Sequence, residues 1–339
     1  MTAPPTAEDT PPTGLGALLG PHLRPALAAC RLNTGRPTRV EACTGGNVSH
    51  VFRVTGDRGS VIVKVRSHRF AGLAHIATDP ALIAVEHRAL TLHHRLMPDL
   101  FPKVLAFLPA AHAMVMTDVF PDGRSWREHL DQRPVTADEC TRLGAALSRI
   151  HHTTTGLPPL RDGDGDDRFR AEHAYGYSLR TAGHRALDDA CRQLDALPAQ
   201  QLILGDTCPK NLSLAAGRAA FVDLDNVHTG APLFDLGYLL AHLVLHHITR
   251  PEHLRPLATL FLDAYRLPGP PRPWRSDGLL ATIAAGILLY RLEARTVPYP
   301  PAAPPGAADL LRRRVRHLLD TGAITVPDVL DAAAGVVTG

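Results

Sequence analysis

The hydrophobic pattern in the first third of the chain is that of β-strands. Polar and apolar positions alternate over residues 38–54, with a turn in the middle, and this predicts a strand, a turn and a second strand. The β-branched run SVIVKV at 60–65 and the apolar run AMVMTDV at 113–119 predict two further strands. We therefore expect the N-terminal region to be built on a sheet.

Helical patterns accompany and follow these strands. Residues 15–33 read as a short helix, and a helix from about residue 80 to residue 96 has an apolar face. After a turn at 120–123 the chain becomes mainly helical. The predicted domains are a disordered tail at 1–14, an N-terminal lobe at 15–119 and a C-terminal lobe at 120–339.

One hairpin interrupts the helical region, at 204–226. Its sequence, LGDTCPKNLSLAAGRAAFVDLDN, has two short apolar strands on either side of the turn AAGR. A hairpin returns the chain to its starting point, so Asp223 after the second strand should lie beside Asp206 and Asn211 before the first. The alternative is a surface turn with scattered polar residues, because Asp and Asn are common in turns.

Two carboxylates and an amide in one place suggest a particular chemistry. Like charges at close range repel each other unless a cation lies between them. A set of oxygen ligands, few of them from the protein, suits a magnesium ion that carries substrate phosphates. The hairpin therefore predicts a site for magnesium and phosphate.

Composition narrows the class of protein. Of the 339 residues, 45% are hydrophobic and 20% are charged. The longest apolar runs are interrupted by polar residues such as Asp235 and His242, so we expect no membrane-spanning segment. The N-terminal sequence MTAPPTAEDTPPTG has no basic region followed by an apolar core, which favours a tail over a signal peptide. These features predict a protein of the cytoplasm.

Cysteine usage and charge exclude further classes. The five cysteines are an odd number without a C-x-x-C pair, so neither a disulfide framework nor a zinc site is indicated. The net charge is only +3 and the basic residues are dispersed, which argues against nucleic-acid binding. The sequence has no signature of oligomeric state and leaves a homodimer open.

Lysine is rare enough in this chain to be informative. Only three of the 36 basic residues are lysine, and two of them, Lys64 and Lys210, lie in a candidate strand and in the candidate hairpin. An ammonium group is a compact point charge that suits a phosphate oxygen in a narrow cleft. Both lysines are therefore candidate phosphate contacts.

The N-terminal region offers further candidates. Gly45, Gly46 and Asn47 form a turn whose small residues would let backbone N–H groups approach phosphates, although an ordinary hairpin would look the same. Glu86 would pair with Lys64 if its helix packs on the sheet, and a solvated glutamate is the alternative.

Two other patterns resemble metal sites without meeting their requirements. The Asp-rich loop at 162–167 has alternating aspartates, but Asp167 and His173 stand where an EF-hand requires glycine and glutamate. A flexible acidic loop, facing a cationic substrate, is the preferred interpretation. Adjacent histidines on a helix point in different directions, and no H-E-x-x-H occurs, so the paired histidines predict no metal site.

These features follow a specific order. A glycine-rich hairpin, a strand lysine, a helical glutamate and a linker strand precede Asp-x-x-x-x-Asn, a hairpin and another Asp. This order, over about residues 35–245, resembles the small-molecule branch of the protein-kinase-like fold, which includes aminoglycoside phosphotransferases, choline kinases and methylthioribose kinases. The resemblance implies an α+β, bilobed fold: an N-terminal antiparallel sheet lobe with one key helix, and a larger, mainly helical C-terminal lobe.

The resemblance also implies roles for the residues of the hairpin. Asp206 resembles the catalytic aspartate that accepts or orients the proton of the attacking hydroxyl. Asn211 and Asp223 resemble the magnesium ligands. The supporting residues would be Lys210, Asp225 and Asp235, the last resembling a helical aspartate that braces the catalytic loop.

In the N-terminal lobe the resemblance implies a nucleotide site for ATP or GTP. Lys64 and Glu86 resemble the ion pair that grips the α and β phosphates. The end of the linker strand, with Met116, Thr117 and Val119, would line the pocket for adenine or guanine.

The resemblance departs from the family at one position. The family usually begins its catalytic loop His-Gly-Asp, whereas this chain has Leu204-Gly205-Asp206, so a structural hydrogen bond from that histidine is missing. We expect the chemistry to survive, because phosphoryl transfer depends on positioning and charge neutralisation by groups that are all present.

The sequence therefore predicts a magnesium-dependent kinase that transfers the γ-phosphate of ATP or GTP to a hydroxyl of a small molecule. An antibiotic of the aminoglycoside, nucleoside or peptide type is the first candidate acceptor, with self-resistance or biosynthesis as the role. The alternatives are a metabolic sugar or amino-alcohol kinase, of the methylthioribose or choline kinase type, and a catalytically dead binding module. Arg291 and Glu293 would either face the acceptor or lie on a plain helix surface.

Overall fold

The chain divides into two units, of which the first ends at Gly123 and the second begins at Arg124. The predicted boundary, after residue 119, lies slightly earlier. The turn between them belongs to the first unit because Arg53 binds both of its ends: its Nε donates to Asp118 (2.6 Å) and its Nη1 to the carbonyl of Gly123 (3.0 Å).

The computed structural model describes residues 14–43, 46–160, 170–198, 201–265, 277–293, 299, 303–334 and 336. Gly45, the Asp-rich loop at 162–167 and all but Gly14 of the predicted tail lie outside these residues.

The N-terminal unit contains a five-stranded antiparallel sheet with the strand order β1-β2-β3-β5-β4. Its strands are β1 (Pro37–Ala42), β2 (His50–Gly56), β3 (Gly59–Val65), β4 (Val104–Leu108) and β5 (Ala113–Thr117). β4 was not predicted from the sequence. All five of its residues are partly buried, so it lacks the alternation of burial that marks a strand with one wet face.

Helices cover one face of this sheet because apolar side chains alternate with other side chains along β3. Val61, Val63 and Val65 point into an apolar core with the first two helices, α1 (Leu15–Leu19) and α2 (Leu23–Thr34). Successive side chains of a strand point to opposite faces, so Lys64 points away from this core. A third helix, α3 (Ile83–Leu96), buries Ile83, Val85 and Leu90 and carries Glu86 on its buried side.

The C-terminal unit is mainly helical. Its helices are α4 (Trp126–Leu130), α5 (Ala137–Thr153), the π-helical α6 (Arg170–Arg180), α7 (Arg185–Ala196), α8 (Leu233–His246), α9 (Leu254–Ala264), α10 (Gly278–Glu293), α11 (Ala307–Thr321) and α12 (Val326–Asp331). Within the described ranges, none of the helices combines the length and the apolar character needed to cross a bilayer.

Two short antiparallel pairs of strands interrupt these helices. β6 (Gln201–Ile203) pairs with β9 (His228–Gly230), and β7 (Leu212–Ser213) pairs with β8 (Ala220–Phe221). The predicted hairpin is therefore present, although its paired strands are only two residues long. The two pairs together frame the loop that contains Asp206.

The core of the C-terminal unit is the contact between α8 and α10. A Cβ atom on Gly237 of α8 would lie 2.5 Å from Cγ2 of Ile283 on α10, so the helices approach at a distance that only glycine permits. α8 is buried from Leu233 to Leu245, and α10 from Leu280 to Arg291 apart from Thr282. This close packing places Asp235 at one end of α8 and Arg291 at the end of α10.

Candidate functional site

In the N-terminal unit, Lys64 and Glu86 form a buried ion pair. Nζ of Lys64 donates to Oε1 of Glu86 at 2.7 Å, and the two side chains are only 7% and 1% exposed. The pair forms because the face of β3 opposite α2 meets the buried side of α3. The solvated glutamate that the sequence left open is therefore not observed.

The turn before β2 is attached to a neighbouring loop. The N–H of Gly72 donates to the carbonyl of Asn47 (3.0 Å), and a Cβ on Gly72 would lie 2.6 Å from Oδ1 of Asn47. Gly46 and Asn47 are thus placed, whereas Gly45 lies outside the described residues. That this turn covers phosphates stays a prediction.

The end of β5 is fixed by hydrogen bonds. Thr117 exchanges two bonds with the backbone of Lys103, accepting at Oγ1 and donating from its N–H, both at 2.9 Å. Met116 is buried and Val119 partly buried. Between them, Asp118 accepts from Ser60 (2.8 Å) as well as from Arg53. The role of Met116, Thr117 and Val119 in binding a base stays a prediction.

In the C-terminal unit, Asp235 binds the backbone of the loop that leads to Asp206. Its Oδ2 accepts from the N–H of Leu204 (2.7 Å) and its Oδ1 from the N–H of Gly205 (2.9 Å). Oγ1 of Thr207 donates to the main-chain carbonyl of Asp235 (3.2 Å). The first turn of α8 therefore holds the backbone before Asp206 and the Thr207 side chain after it.

A histidine from outside the loop completes this arrangement. Nε2 of His151, in α5, is hydrogen-bonded to Oδ2 of Asp235 (3.0 Å), and Nδ1 is hydrogen-bonded to the hydroxyl of Tyr265 (2.7 Å). Leu204, at the position where the family usually has histidine, is buried in the apolar core. No sequence pattern pointed to His151, which occurs 53 positions before Leu204 and is one of the paired histidines.

Gly205 is required by the shape of the loop. It has a φ angle of +76°, and a Cβ there would lie 2.6 Å from the carbonyl oxygen of Asn226. Only glycine satisfies both conditions without strain. The hairpin can therefore fold back beside the residue that precedes Asp206.

Asp206 and Asn211 are in direct contact. Nδ2 of Asn211 donates to both Oδ2 and the main-chain carbonyl of Asp206, each at 3.1 Å. The N–H of Val222 donates to the carbonyl of Asn211 (2.9 Å), so the backbone just before Asp223 lies beside Asn211, as the hairpin predicts. Asp223 itself has left-handed backbone angles, with φ +64° and ψ +63°.

The charges of this loop favour a cationic lysine and a neutral thiol. Burial acts to lower the pKa of Lys210, but the carboxylates of Asp206 and Asp223 raise it above its ordinary value. Burial raises the pKa of the Cys208 thiol to about 12, so this thiol is not a nucleophile. Lys210 therefore supplies positive charge near both aspartates.

Arg291 contacts Asp206, a position that the sequence did not predict. Its Nη2 donates to Oδ1 of Asp206 (3.1 Å) and to the hydroxyl of Tyr238, and its side chain is 4% exposed. Burial acts to lower its pKa, but the carboxylate of Asp206 raises it above the ordinary value. Glu293, named with it in the sequence, instead pairs with Arg316 at 2.7 Å.

Three tyrosine rings surround the guanidinium of Arg291, and we call them the tyrosine cage. Their centroids lie 5.2, 5.1 and 5.8 Å from its Cζ for Tyr238, Tyr290 and Tyr299 respectively. All three distances are within the range of cation–π attraction. Burial raises the pKa of each tyrosine above its ordinary value, so the rings are neutral.

The oxygen ligands for a metal are few. Among the residues that the structure describes, there is no group of three His, Cys, Asp or Glu side chains that could hold a metal ion. The predicted pair, Asn211 and Asp223, is an amide and a carboxylate. Both hydrogen bonds of Asn211 to Asp206 use its nitrogen, so they leave its amide oxygen for a cation. Such a pair suits Mg²⁺, which takes its other ligands from water and phosphate.

Protein-family models provide the first comparison. The model of the phosphotransferase enzyme family, APH, matches residues 39–274, which is more than half of the chain. A comparison with curated proteins found no match.

Solved structures show the fold. An amicoumacin kinase in complex with AMP-PNP, Ca²⁺ and Ami is 16% identical with a TM-score of 0.55, over 91% of this chain and 94% of that chain. A choline/ethanolamine kinase family protein from Mesorhizobium loti is 21% identical with a TM-score of 0.54, over 95% and 100%. A choline kinase from Cryptosporidium parvum Iowa II is 11% identical with a TM-score of 0.55, over 91% and 99%.

These similarities confirm the predicted fold class. The N-terminal unit has the antiparallel sheet and the glutamate-bearing helix, and the C-terminal unit is mainly helical. At these identities the structures show the fold alone.

Proposed function

Because the chain belongs to the phosphotransferase enzyme family, we propose that it transfers the γ-phosphate of ATP or GTP to a hydroxyl group of a small molecule. The observation that supports this most strongly is the environment of Asp206. Its carboxylate is 17% exposed, and its two chain neighbours, Gly205 and Thr207, are both hydrogen-bonded to Asp235. A carboxylate that is fixed in position and still reachable has the properties of a residue that orients a hydroxyl.

Asp206 is the residue we assign to the acceptor hydroxyl. Its oxygens accept from Asn211 and Arg291, and a carboxylate has about four lone-pair sites, so sites remain for the acceptor O–H. The hydroxyl would donate to Asp206 and thereby direct its oxygen at phosphorus. As the O–P bond forms and the bond to the nucleoside diphosphate breaks, the hydroxyl proton passes to Asp206.

Asn211 and Asp223 are the residues that would hold Mg²⁺. A bound Mg²⁺ would neutralise charge on the phosphates during transfer. Lys210 and Asp225 lie in the same hairpin and would support the site, Lys210 as a phosphate contact. In the N-terminal unit, the Lys64–Glu86 pair would grip the α and β phosphates, because Glu86 fixes the position of the ammonium.

The identity of the acceptor stays a prediction from the sequence. An antibiotic of the aminoglycoside, nucleoside or peptide type is our first candidate, and a metabolic sugar or amino alcohol is the second. A catalytically dead binding module is disfavoured because Lys64, Asp206, Asn211 and Asp223 are all retained. Location in the cytoplasm and a homodimeric state also stay predictions.

A screen of acceptors tests the proposal. Purified protein is incubated with Mg²⁺ and either ATP or GTP, together with aminoglycosides, nucleoside and peptide antibiotics, methylthioribose or choline. Mass spectrometry then detects the gain of one phosphate. We expect a product that the Asp206→Asn variant does not form. Failure to bind either nucleotide in the presence of Mg²⁺ would contradict the proposal.

A further inference from the structure

A buried arginine touches the proposed catalytic carboxylate. Burying a guanidinium is costly unless it is paired and hydrogen-bonded. Only 4% of the Arg291 side chain is exposed to solvent, and its ion pair is with Asp206. A fold that places this charge at the end of a buried helix therefore depends on Asp206 to compensate it.

The pairing of Arg291 is specific to Asp206. Within the described part of the chain, its hydrogen bonds from Nη2 go to Asp206 and Tyr238, and its Nε has no hydrogen-bond partner. Glu293, two positions later on the same helix, is bound to Arg316 through both oxygens. The guanidinium is thus directed at Asp206 and does not take part in a wider network of carboxylates.

The tyrosine cage lies around the guanidinium of Arg291 that contacts Asp206. Tyr238 comes from α8, Tyr290 from α10, and Tyr299 follows α10, so the rings enclose the guanidinium from several sides. Behind them, the ring of His242 contacts Tyr238 and Tyr299, with centroids at 5.6 and 4.6 Å. Burial holds the pKa of His242 well below its ordinary value, so it adds no second positive charge.

We propose that Arg291 is a positioning residue for phosphoryl transfer, which holds the Asp206 carboxylate in one orientation while the acceptor hydroxyl binds. Arg291 holds Oδ1, whereas Asn211 holds Oδ2. Asn211 would also hold the metal through its amide oxygen, whereas the ion pair of Arg291 is with Asp206. This role rests on the function proposed above, because Asp206 must be the residue that accepts the hydroxyl.

The test compares variants at Arg291 with a matched control. Arg291→Gln removes the charge, Arg291→Lys retains it, and Arg291→Ala empties the tyrosine cage. Arg316→Gln is the control, because it breaks another arginine–carboxylate pair at the end of α10 without touching Asp206. Turnover is measured with the acceptor found in the screen and also as Mg²⁺-dependent hydrolysis of the nucleotide, in which water takes the place of the acceptor.

We expect a loss of turnover without a loss of nucleotide binding. In Arg291→Gln, kcat should fall about 100-fold or more, while the KM and Kd for the nucleotide stay within about twofold. Arg291→Lys should retain more activity, and Arg316→Gln should resemble the unmodified protein. Added guanidinium ion should restore turnover to Arg291→Ala in a saturable manner, whereas NaCl at equal ionic strength should not.

Three results would overturn the inference. Unchanged kcat in Arg291→Gln would show that the contact is incidental. Equal losses of kcat and nucleotide affinity, with no rescue by guanidinium, would show a purely structural role. If Arg291→Gln fails to fold, Arg291→Lys and the guanidinium titration decide the question. If the unmodified protein binds nucleotide but transfers phosphate to no acceptor and no water, the proposed function fails, and the positioning role fails with it.

Discussion

The two units each contain a buried ion pair, and the two pairs differ in how they are closed to solvent. Lys64 and Glu86 are 7% and 1% exposed, so both members of the N-terminal pair are sealed. Arg291 is 4% exposed, but its partner Asp206 is 17% exposed. The C-terminal pair is therefore sealed on the side of the cation and open on the side of the carboxylate. A closed pair is suited to hold a charge in place, whereas a half-open pair can present one to a substrate.

The two pairs also differ in how visible they were in the sequence. Lys64 was recognisable because lysine is rare in this chain and occurs here within a β-branched run. Arg291 is one of 33 arginines, the 36 basic residues less three lysines, so its type carried no information. A buried cation is thus easy to predict only where its residue type is unusual for the chain.

The largest expected effect distinguishes the pairs by function. Asp206→Asn should lower turnover by about 10²- to 10⁴-fold because the hydroxyl loses its proton acceptor. Nucleotide affinity should stay nearly unchanged. Glu86→Gln should do the reverse and weaken nucleotide binding first, because the ammonium of Lys64 loses its fixed position. Steady-state kinetics and nucleotide titrations on the same preparations measure both effects. An active Asp206→Asn protein would remove Asp206 from its assigned role.

The second effect concerns the stability of the protein. It tests whether the Lys64–Glu86 pair is closed to solvent. Lys64→Met would leave Glu86 buried without its cation and should lower the free energy of unfolding by about 3–5 kcal/mol. The matched control is Arg39→Gln, which breaks an exposed pair with Glu41 (70% and 43% exposed) and should change it by less than about 1 kcal/mol. Denaturant titration measures both. Equal effects would mean that the Lys64–Glu86 pair is not sealed in solution.

The third effect concerns the proposed metal site at Asn211 and Asp223. Asp223→Ala should weaken the binding of the magnesium–nucleotide complex and leave binding of metal-free nucleotide largely unchanged, because it removes an oxygen ligand. Asp223→Gly should lose the same metal dependence and be more stable than Asp223→Ala by about 1 kcal/mol, since the left-handed backbone suits glycine. If Asp223→Ala retained the magnesium dependence, another residue would have to be the ligand.

The smallest effect is a pH dependence of the C-terminal unit. Burial and the charge of Arg127 hold the pKa of His246 at about 3, against an ordinary value of 6.5. The unfolded chain therefore binds a proton between these values that the folded chain does not, and the free energy of unfolding falls as the pH decreases from about 6.5. His246→Gln should reduce that slope by at most about 1.4 kcal/mol per pH unit.

Unfolding curves at several pH values measure this slope. The control is His152→Gln, at an exposed position of α5, which should leave the slope unchanged. Identical slopes in His246→Gln and in the unmodified protein would contradict the burial of His246.

Local pattern was enough to predict most of what lies close together in sequence. Periodicity gave the strands that carry Lys64 and Met116, and turn chemistry gave the hairpin between Asn211 and Asp223. The contacts that local pattern did not predict depend on tertiary packing. α10 is apolar on nearly all sides, so its sequence does not indicate which end of it approaches Asp206. His151 reaches Asp235 from another helix 84 positions away, and no local signal reports such a contact.

The left-handed backbone of Asp223 has a consequence for the evolution of such proteins. A change of one base in either aspartate codon produces glycine, and at this position glycine would relieve backbone strain of roughly 1 kcal/mol. The same step would remove the carboxylate assigned to the metal. Relief of backbone strain and loss of catalysis thus coincide at one codon. An active descendant must be maintained there by selection, while a descendant released from selection can become an inactive binding protein in a single step.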